Sequence, residues 1–375
     1  MKYAQILLAS RILMSDILGF EQQLYPDAFH IKQAINWLCR AQNSAKNGGV
    51  SEGYHLYHGW LPPYPETTGY IIETFLNYHN QTRDEAAKIR AMKMADWLIS
   101  IQNNDGSIPD SYLKHKMVFD TGQFIFGLIR CHEDIGSSQY LASAERAGKW
   151  LVQVQEADGT WRKYAFGQIP HAYYARVAWS LLKLHEKVRE QCYINAAVKN
   201  IEWTVQQQNA FGWFDHASFN QRKHGHPSTH TIAYTMRGVL ESGLYLGEER
   251  YVNAVKKAMD HVLSVLPTDG HLPGTYDEKW IGDSSFSCLT GNAQLAIVLL
   301  RLFETTNELQ YLIAAKKINH YLKTKQILRI KNNNVYGAIA GSYPIWGKYI
   351  HFAYPNWAAK FFVDALMLEE RLSNE

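Results

Sequence analysis

Six glycines punctuate this chain at a nearly constant interval. Gly48, Gly106, Gly159, Gly212, Gly270 and Gly337 stand 58, 53, 53, 58 and 67 residues apart. Each sits at a turn, as in Asp105-Gly106, Asp158-Gly159 and Asp269-Gly270. A period this regular calls for a repeat architecture rather than unrelated domains. One unit shows the layout. From Tyr140 an amphipathic run ends in Trp150-Leu151-Val152, then comes the turn Asp158-Gly159-Thr160-Trp161 and a loop to His171. A more apolar run follows, with Tyr174, Val177, Ala178, Leu181 and Leu182 at helical spacing. Two helical periods about a glycine turn predict a helical hairpin.

The two helices of each unit differ. The first carries Lys, Arg, Glu and Asn on one face, as a half-solvated helix should. The second is apolar nearly all round, for example Leu295-Ala296-Ile297-Val298-Leu299-Leu300, as a helix covered on both sides should be. Six outer and six inner helices closing on themselves give an all-α fold, an (α/α)6 barrel. An open solenoid would show polar capping repeats, whereas the last unit ends in the apolar Ala358-Ala359-Lys360-Phe361-Phe362-Val363. Closure is therefore expected. The reading is one domain over residues 1–375, with 1–28 as an N-terminal helical extension.

Composition narrows the function. Apolar residues make up 46% and aromatics 13%, enough for a large core. The formal charge of +3 is spread along the chain, so neither nucleic acid nor membrane insertion is expected. Cys39, Cys131, Cys192 and Cys288 have no metal or redox spacing. The first three fall in helical runs, where buried free thiols are expected, and reduced thiols suit a cytoplasmic protein. Arg11 and Asp16 interrupt the apolar N-terminal run, which reads as an amphipathic helix packed on the body rather than a signal peptide. No cofactor and no metal are expected, and the sequence carries no signal of oligomeric state.

The connections leading into the inner helices are the long ones. About 16 residues separate Gly49 from Glu66, and about 17 separate Gly212 from His230. Long loops at one end of a rigid scaffold are where a site is expected. The inner-helix starts are polar or aromatic in every unit: Glu66; Asp120; His171, Tyr174 and Arg176; His230, Tyr234 and Arg237; Asn292 and Gln294; Asn356, Trp357 and Lys360. A converging ring of polar groups on otherwise buried helices suggests a lined cavity. The loops add Trp161, Trp213, Trp280, Trp346 and Tyr349, whose flat faces suit sugar rings. Each has a plainer reading. Asp120 could cap its helix, Glu66 could serve the helix dipole, and His230, Tyr234 and Arg237 could form a polar seam.

Two chemistries fit. Glu66 and Asp120 open successive inner helices and could hydrolyse a glycosidic bond as acid and base. His171, Tyr174, Arg176, His230, Tyr234 and Arg237 could instead supply the base, acid and carboxylate clamp of uronate epimerisation or elimination. A glycan is the expected partner under either. A third reading is a glycan-binding protein without catalysis.

The repeat layout resembles the six-hairpin (α/α)-toroid carbohydrate-active enzymes. These include unsaturated glucuronyl hydrolases, N-acylglucosamine 2-epimerases and the helical domains of uronyl epimerases and lyases. The local likeness is Phe119-Asp120-Thr121-Gly122-Gln123, followed by Tyr140-Leu141-Ala142. It is similar to the glucuronyl hydrolases, where an acid starts an inner helix, and it implies Asp120 as acid/base. Their Trp-x-Asp-Asp stretch is missing, so the likeness does not carry the specific reaction. Gly341-Ser342-Tyr343-Pro344-Ile345-Trp346-Gly347 resembles proteins of bacterial polysaccharide-biosynthesis clusters. Terpene cyclases of the same class need an Asp-x-Asp-Asp acid, and lanthionine cyclases need a Cys/His zinc set; both are missing from this sequence.

Overall fold

The computed structural model describes residues 3–20, 22–219 and 226–374. Glu21 of the N-terminal extension and residues 220–225 of the connection before His230 lie outside the described residues. Helix α1 spans Tyr3–Ile17. The outer helices are α2 (Asp27–Ala45), α4 (Glu85–Ile101), α6 (Ser138–Gln153), α8 (Gln191–Gln206), α10 (Glu249–Ser264) and α12 (Leu309–Lys325). The inner helices are α3 (Pro65–Thr82), α5 (Val118–Ile135), α7 (Ala175–Val188), α9 (Thr229–Leu246), α11 (Leu289–Thr306) and α13 (Asn356–Asn374). Each inner helix packs against the next, and α13 returns to α3, so the ring is closed.

The hairpin read across each glycine turn is not the packed pair. Each outer helix lies instead on the inner helix before it: α4 on α3, α6 on α5, and around the ring to α2 on α13. The reason is loop length. Only Arg83 and Asp84 separate α3 from α4, and so short a connection forces antiparallel neighbours.

The turn glycines have a different task. All six have positive φ, between 78° and 101°. Each lies against the backbone of the next outer helix: Gly106 on Arg146 of α6, Gly270 on Lys317 of α12, and Gly337 on Gln33 of α2. The interval is thus set by a contact that only a residue without a Cβ can make. Glutamines staple the same joints. Gln102 Nε2 donates to Gly106 O and Ser143 O, both at 3.0 Å. Gln42, Gln155, Gln208 and Gln326 do the same at their turns, Gln326 donating to Gly337 O and His30 O.

Two further seams join the ends. Gly53–His55 pairs antiparallel with Ala353–Pro355, Tyr54 facing Tyr354. Helix α1 buries Leu8, Ala9 and Ile12, while Asp16 Oδ2 accepts from Ile345 N at 2.8 Å. The extension is therefore packed on the body. Among the cysteines, Cys131 and Cys288 are buried and Cys39 half-buried. Cys192 is exposed, contrary to the expectation, because it faces outward in the first turn of α8. Among the described residues no helix is long and apolar enough to cross a membrane.

Candidate active site

Glu66 and Asp120 stand in the first turns of α3 and α5. A threonine anchors each turn to the incoming loop. Thr68 Oγ1 accepts from Val50 N at 3.0 Å, and Thr121 Oγ1 accepts from Ile108 N at 2.9 Å. The two helices approach closely because Gly127 presses on the Gly69 carbonyl, where a Cβ would come within 2.2 Å. The Glu66 charge thereby reaches Asp120.

Their electrostatics separate them from ordinary helix-start carboxylates. A helix N-terminus favours an anion by about 0.3–2 kcal/mol, but taking a carboxylate out of water costs several kcal/mol. Desolvation wins. Asp120, 2% exposed, is held well above the usual range by burial first and the Glu66 charge second. Burial raises Glu66 to about 7, opposed by hydrogen bonds from Tyr64 and Tyr70 and by the Arg176 charge. Asp120 Oδ2 is buried without a hydrogen-bond partner among the described residues. Asp120 therefore holds its proton to higher pH than an ordinary carboxyl, while Glu66 is poised to gain or lose its own near neutral pH.

The walls around them are aromatic. Phe119 lies 5.3 Å from both Tyr173 and Tyr234, and Tyr64 lies 6.3 Å from Trp357. Trp357 Nε1 donates to Tyr349 OH at 2.9 Å. His230 Nδ1 donates to Gln294 Oε1 at 2.7 Å, which leaves the lone pair on Nε2. Burial lowers its pKa to about 3, so the ring is neutral, and it sits 4.3 Å from Tyr234. Tyr234 OH donates to Tyr70 OH at 3.4 Å, and Tyr70 OH to Glu66 Oε1 at 3.5 Å. This chain of hydroxyls crosses the bore and floors the bowl.

Other residues expected here are placed elsewhere. His171 has both ring nitrogens against carbonyls, Phe166 O at 2.8 Å and Ser218 O at 3.1 Å, so it ties two loops together. Tyr174 OH accepts from Phe166 N at 3.1 Å. Trp161 is core, its Nε1 donating to Leu151 O. Trp280 stacks on His261 of α10, outside the ring, with Trp213 packed on the core and Trp346 exposed. Asn292 donates to Ser287, and Asn356 to Ser51 O and Thr67.

Arg176, Arg237, Gln294 and Lys360 line a cavity of about 770 Å³ inside the ring of inner helices, reaching from the early turns of α7 and α13 to the C-terminal half of α3. A groove of about 890 Å³ runs outside α12, lined by Lys316, Lys325 and His271. Tyr64, Tyr70, Phe119 and Tyr173 went unweighted in the sequence; the available signal was their place at or just inside the inner-helix starts. Among the described residues no cluster of three His, Cys, Asp or Glu could hold a metal.

Acid linkage makes the state of Asp120 measurable. Its pKa is raised on folding, so the native state binds more protons than the unfolded chain above the unfolded value of 3.8. Stability from this residue is then present at low pH and lost as pH rises toward the folded value. Asp120→Asn should therefore gain in Tm over the parent as pH goes from 4 to 8. Parallel Tm–pH curves would show that Asp120 is not held neutral.

Residues 60–250 match the squalene-hopene cyclase C-terminal domain. No curated protein matches the chain in sequence. Among solved structures it is similar to an unsaturated glucuronyl hydrolase specific for heparin, with 15% identity and a TM-score of 0.74 over 92% of this chain and 97% of that one. A cellobiose 2-epimerase from Bacillus thermoamylovorans superposes with 12% identity and a TM-score of 0.71, covering 97% and 99%. An α-amylase from Clostridium perfringens does so with 14% identity and 0.67, covering 91% and 97%. These similarities establish the six-hairpin α/α toroid.

Proposed function

Because the chain belongs to the squalene-hopene cyclase C-terminal domain family yet lacks the Asp-x-Asp-Asp acid of the cyclases, we propose that its toroid hydrolyses a glycosidic bond in an oligo- or polysaccharide bearing uronic or amino sugars. The observation that carries this is the pair Asp120 and Glu66. One is a buried neutral acid with an unpartnered oxygen, the other a carboxyl near its midpoint, both within an aromatic bowl. Asp120 protonates the leaving oxygen and the Glu66 carboxylate takes a proton from the attacking water. Tyr64, Tyr349 and Trp357 offer faces for sugar rings. Structural neighbours named as a glucuronyl hydrolase, an epimerase and an amylase support a sugar substrate.

Uronate epimerisation or elimination is the second reading, favoured by the neutral His230 beside Tyr234. It needs a cation for the sugar carboxylate. Arg176, Arg237 and Lys360 line the cavity of about 770 Å³ instead, so hydrolysis comes first. Incubation with acidic and neutral glycans in deuterated water separates the readings. Hydrolysis releases reducing ends, epimerisation leaves a carbon-bound deuteron, and elimination gives an ultraviolet-absorbing alkene. Binding without any conversion would leave the third reading, a non-catalytic glycan-binding protein.

The pH profile follows from the same pair. Glu66 must be ionised and Asp120 protonated, so the rate should climb as pH rises through about 7 and fall only when Asp120 ionises. A rate already at its plateau at pH 5 would remove Glu66 as the base.

A further inference from the structure

The cavity lined by Arg176 lies beside the Tyr70–Tyr234 contact, and its chemistry differs from that of the Glu66–Asp120 pair. Arg176 and Lys360 are its most buried charges, each 3% exposed. Five rings surround the Arg176 guanidinium, with centroids 5.1–5.8 Å away: Tyr70, Phe126, Trp179, Tyr234 and Phe361. Its Nε donates to Gln123 Oε1 at 2.7 Å. Among the described residues Arg176 has no ion-pair partner, and its terminal nitrogens make no protein hydrogen bond. The neighbouring cations are spoken for: Arg237 and Arg301 pair with Glu241, and Lys360 with Asp364.

A buried unpaired cation is costly, and the aromatic faces offset only part of that cost. The guanidinium fork matches a carboxylate in two parallel hydrogen bonds. Asn77, Asn80 and Gln81 of α3 also line the cavity; Asn80 donates to Asp134 and Gln81 to Glu370, and their amide oxygens suit hydroxyl groups. Glu73, Glu241 and Asp364 also face the cavity and would repel a second negative charge. At about 770 Å³ the space lies within the usual range for small-ligand sites.

We propose that this cavity is a second binding site, taking a singly charged, hydroxylated carboxylate of sugar-acid type with Arg176 as its anchor. The site stands on its own geometry and does not depend on the hydrolysis reading.

Sodium glucuronate, glucose and sodium chloride at matched ionic strength serve as probes, read by thermal shift and titration calorimetry on the full chain. Glucuronate should raise Tm with concentration, whereas glucose and chloride should not. Arg176→Met should lose the shift while keeping the parent's ligand-free Tm, since an apolar side chain suits the aromatic cage. Arg176→Lys keeps the charge without the fork, and should weaken binding about tenfold or more. It provides the same test if Arg176→Met does not fold. Asp120→Asn should bind glucuronate as the parent does. No shift beyond chloride, a shift that survives loss of the Arg176 guanidinium, or one abolished by Asp120→Asn would each overturn the assignment.

Discussion

Asp120→Asn is expected to slow glycan cleavage by about 10²–10⁴-fold, the range supplied by a positioned general acid, while the toroid stays folded. An amide fills the same buried place in α5 but has no proton to give the leaving oxygen. Glu66→Gln should cost a comparable factor by removing the base. The double variant should be little worse than either, since both groups serve one transition state. Reducing-end release from the glycan identified in the panel measures all three. An Asp120→Asn enzyme with the parent rate would end the proposal.

The second large effect concerns the scaffold. Gly270→Ala should destabilise the protein by about 2–5 kcal/mol, combining left-handed strain with overpacking. Gly270 has φ of +80°, and an added Cβ would lie 2.2 Å from Lys317 O and 3.0 Å from Ile318 N. The nearest atoms are all backbone of α12, so no side chain can swing away. Gly136 provides the control. Its φ is +81°, but nothing lies within 4 Å of the added carbon, so Gly136→Ala should show the backbone strain alone, about 1 kcal/mol. Urea denaturation midpoints compare the two. Equal losses would mean that the turn glycines are not joints between units.

These glycines explain why the fold was legible. Positive φ and close approach at the same place exclude every other residue type, so the repeat survives as a sequence period even where the helices share few identities. The recurring Gln42, Gln102, Gln155, Gln208 and Gln326 were a second such mark, overlooked because glutamine at a helix end has no special meaning by itself. The acids were legible for a related reason: Glu66 and Asp120 are polar residues at the starts of helices that are otherwise buried.

Depth along the inner helices was not legible. Arg237 lies seven residues beyond His230, which at 1.5 Å per residue is about 10 Å further down the bore. Both share a helix face, yet a floor made by residues of α3 and α9 stands between them and assigns them to opposite ends. That floor depends on Tyr70 and Tyr234 meeting across the ring, a long-range fact with no local signature. The loop tryptophans failed differently. Irregular segments have no period, so nothing in the sequence says whether Trp280 turns toward the bowl or, as found, toward the outer surface of α10.

The seam between the first and last units bears on how the chain is made. Gln326 donates to the carbonyl of His30 across 296 residues, and α13 covers flanks of both α2 and α3. During synthesis α2 and α3 must wait for about 270 further residues or more before α13 emerges from the ribosome. Until then their sticky sides face solvent or a chaperone. Substitutions in α13 should therefore lower the yield of native protein by leaving nascent chains uncapped.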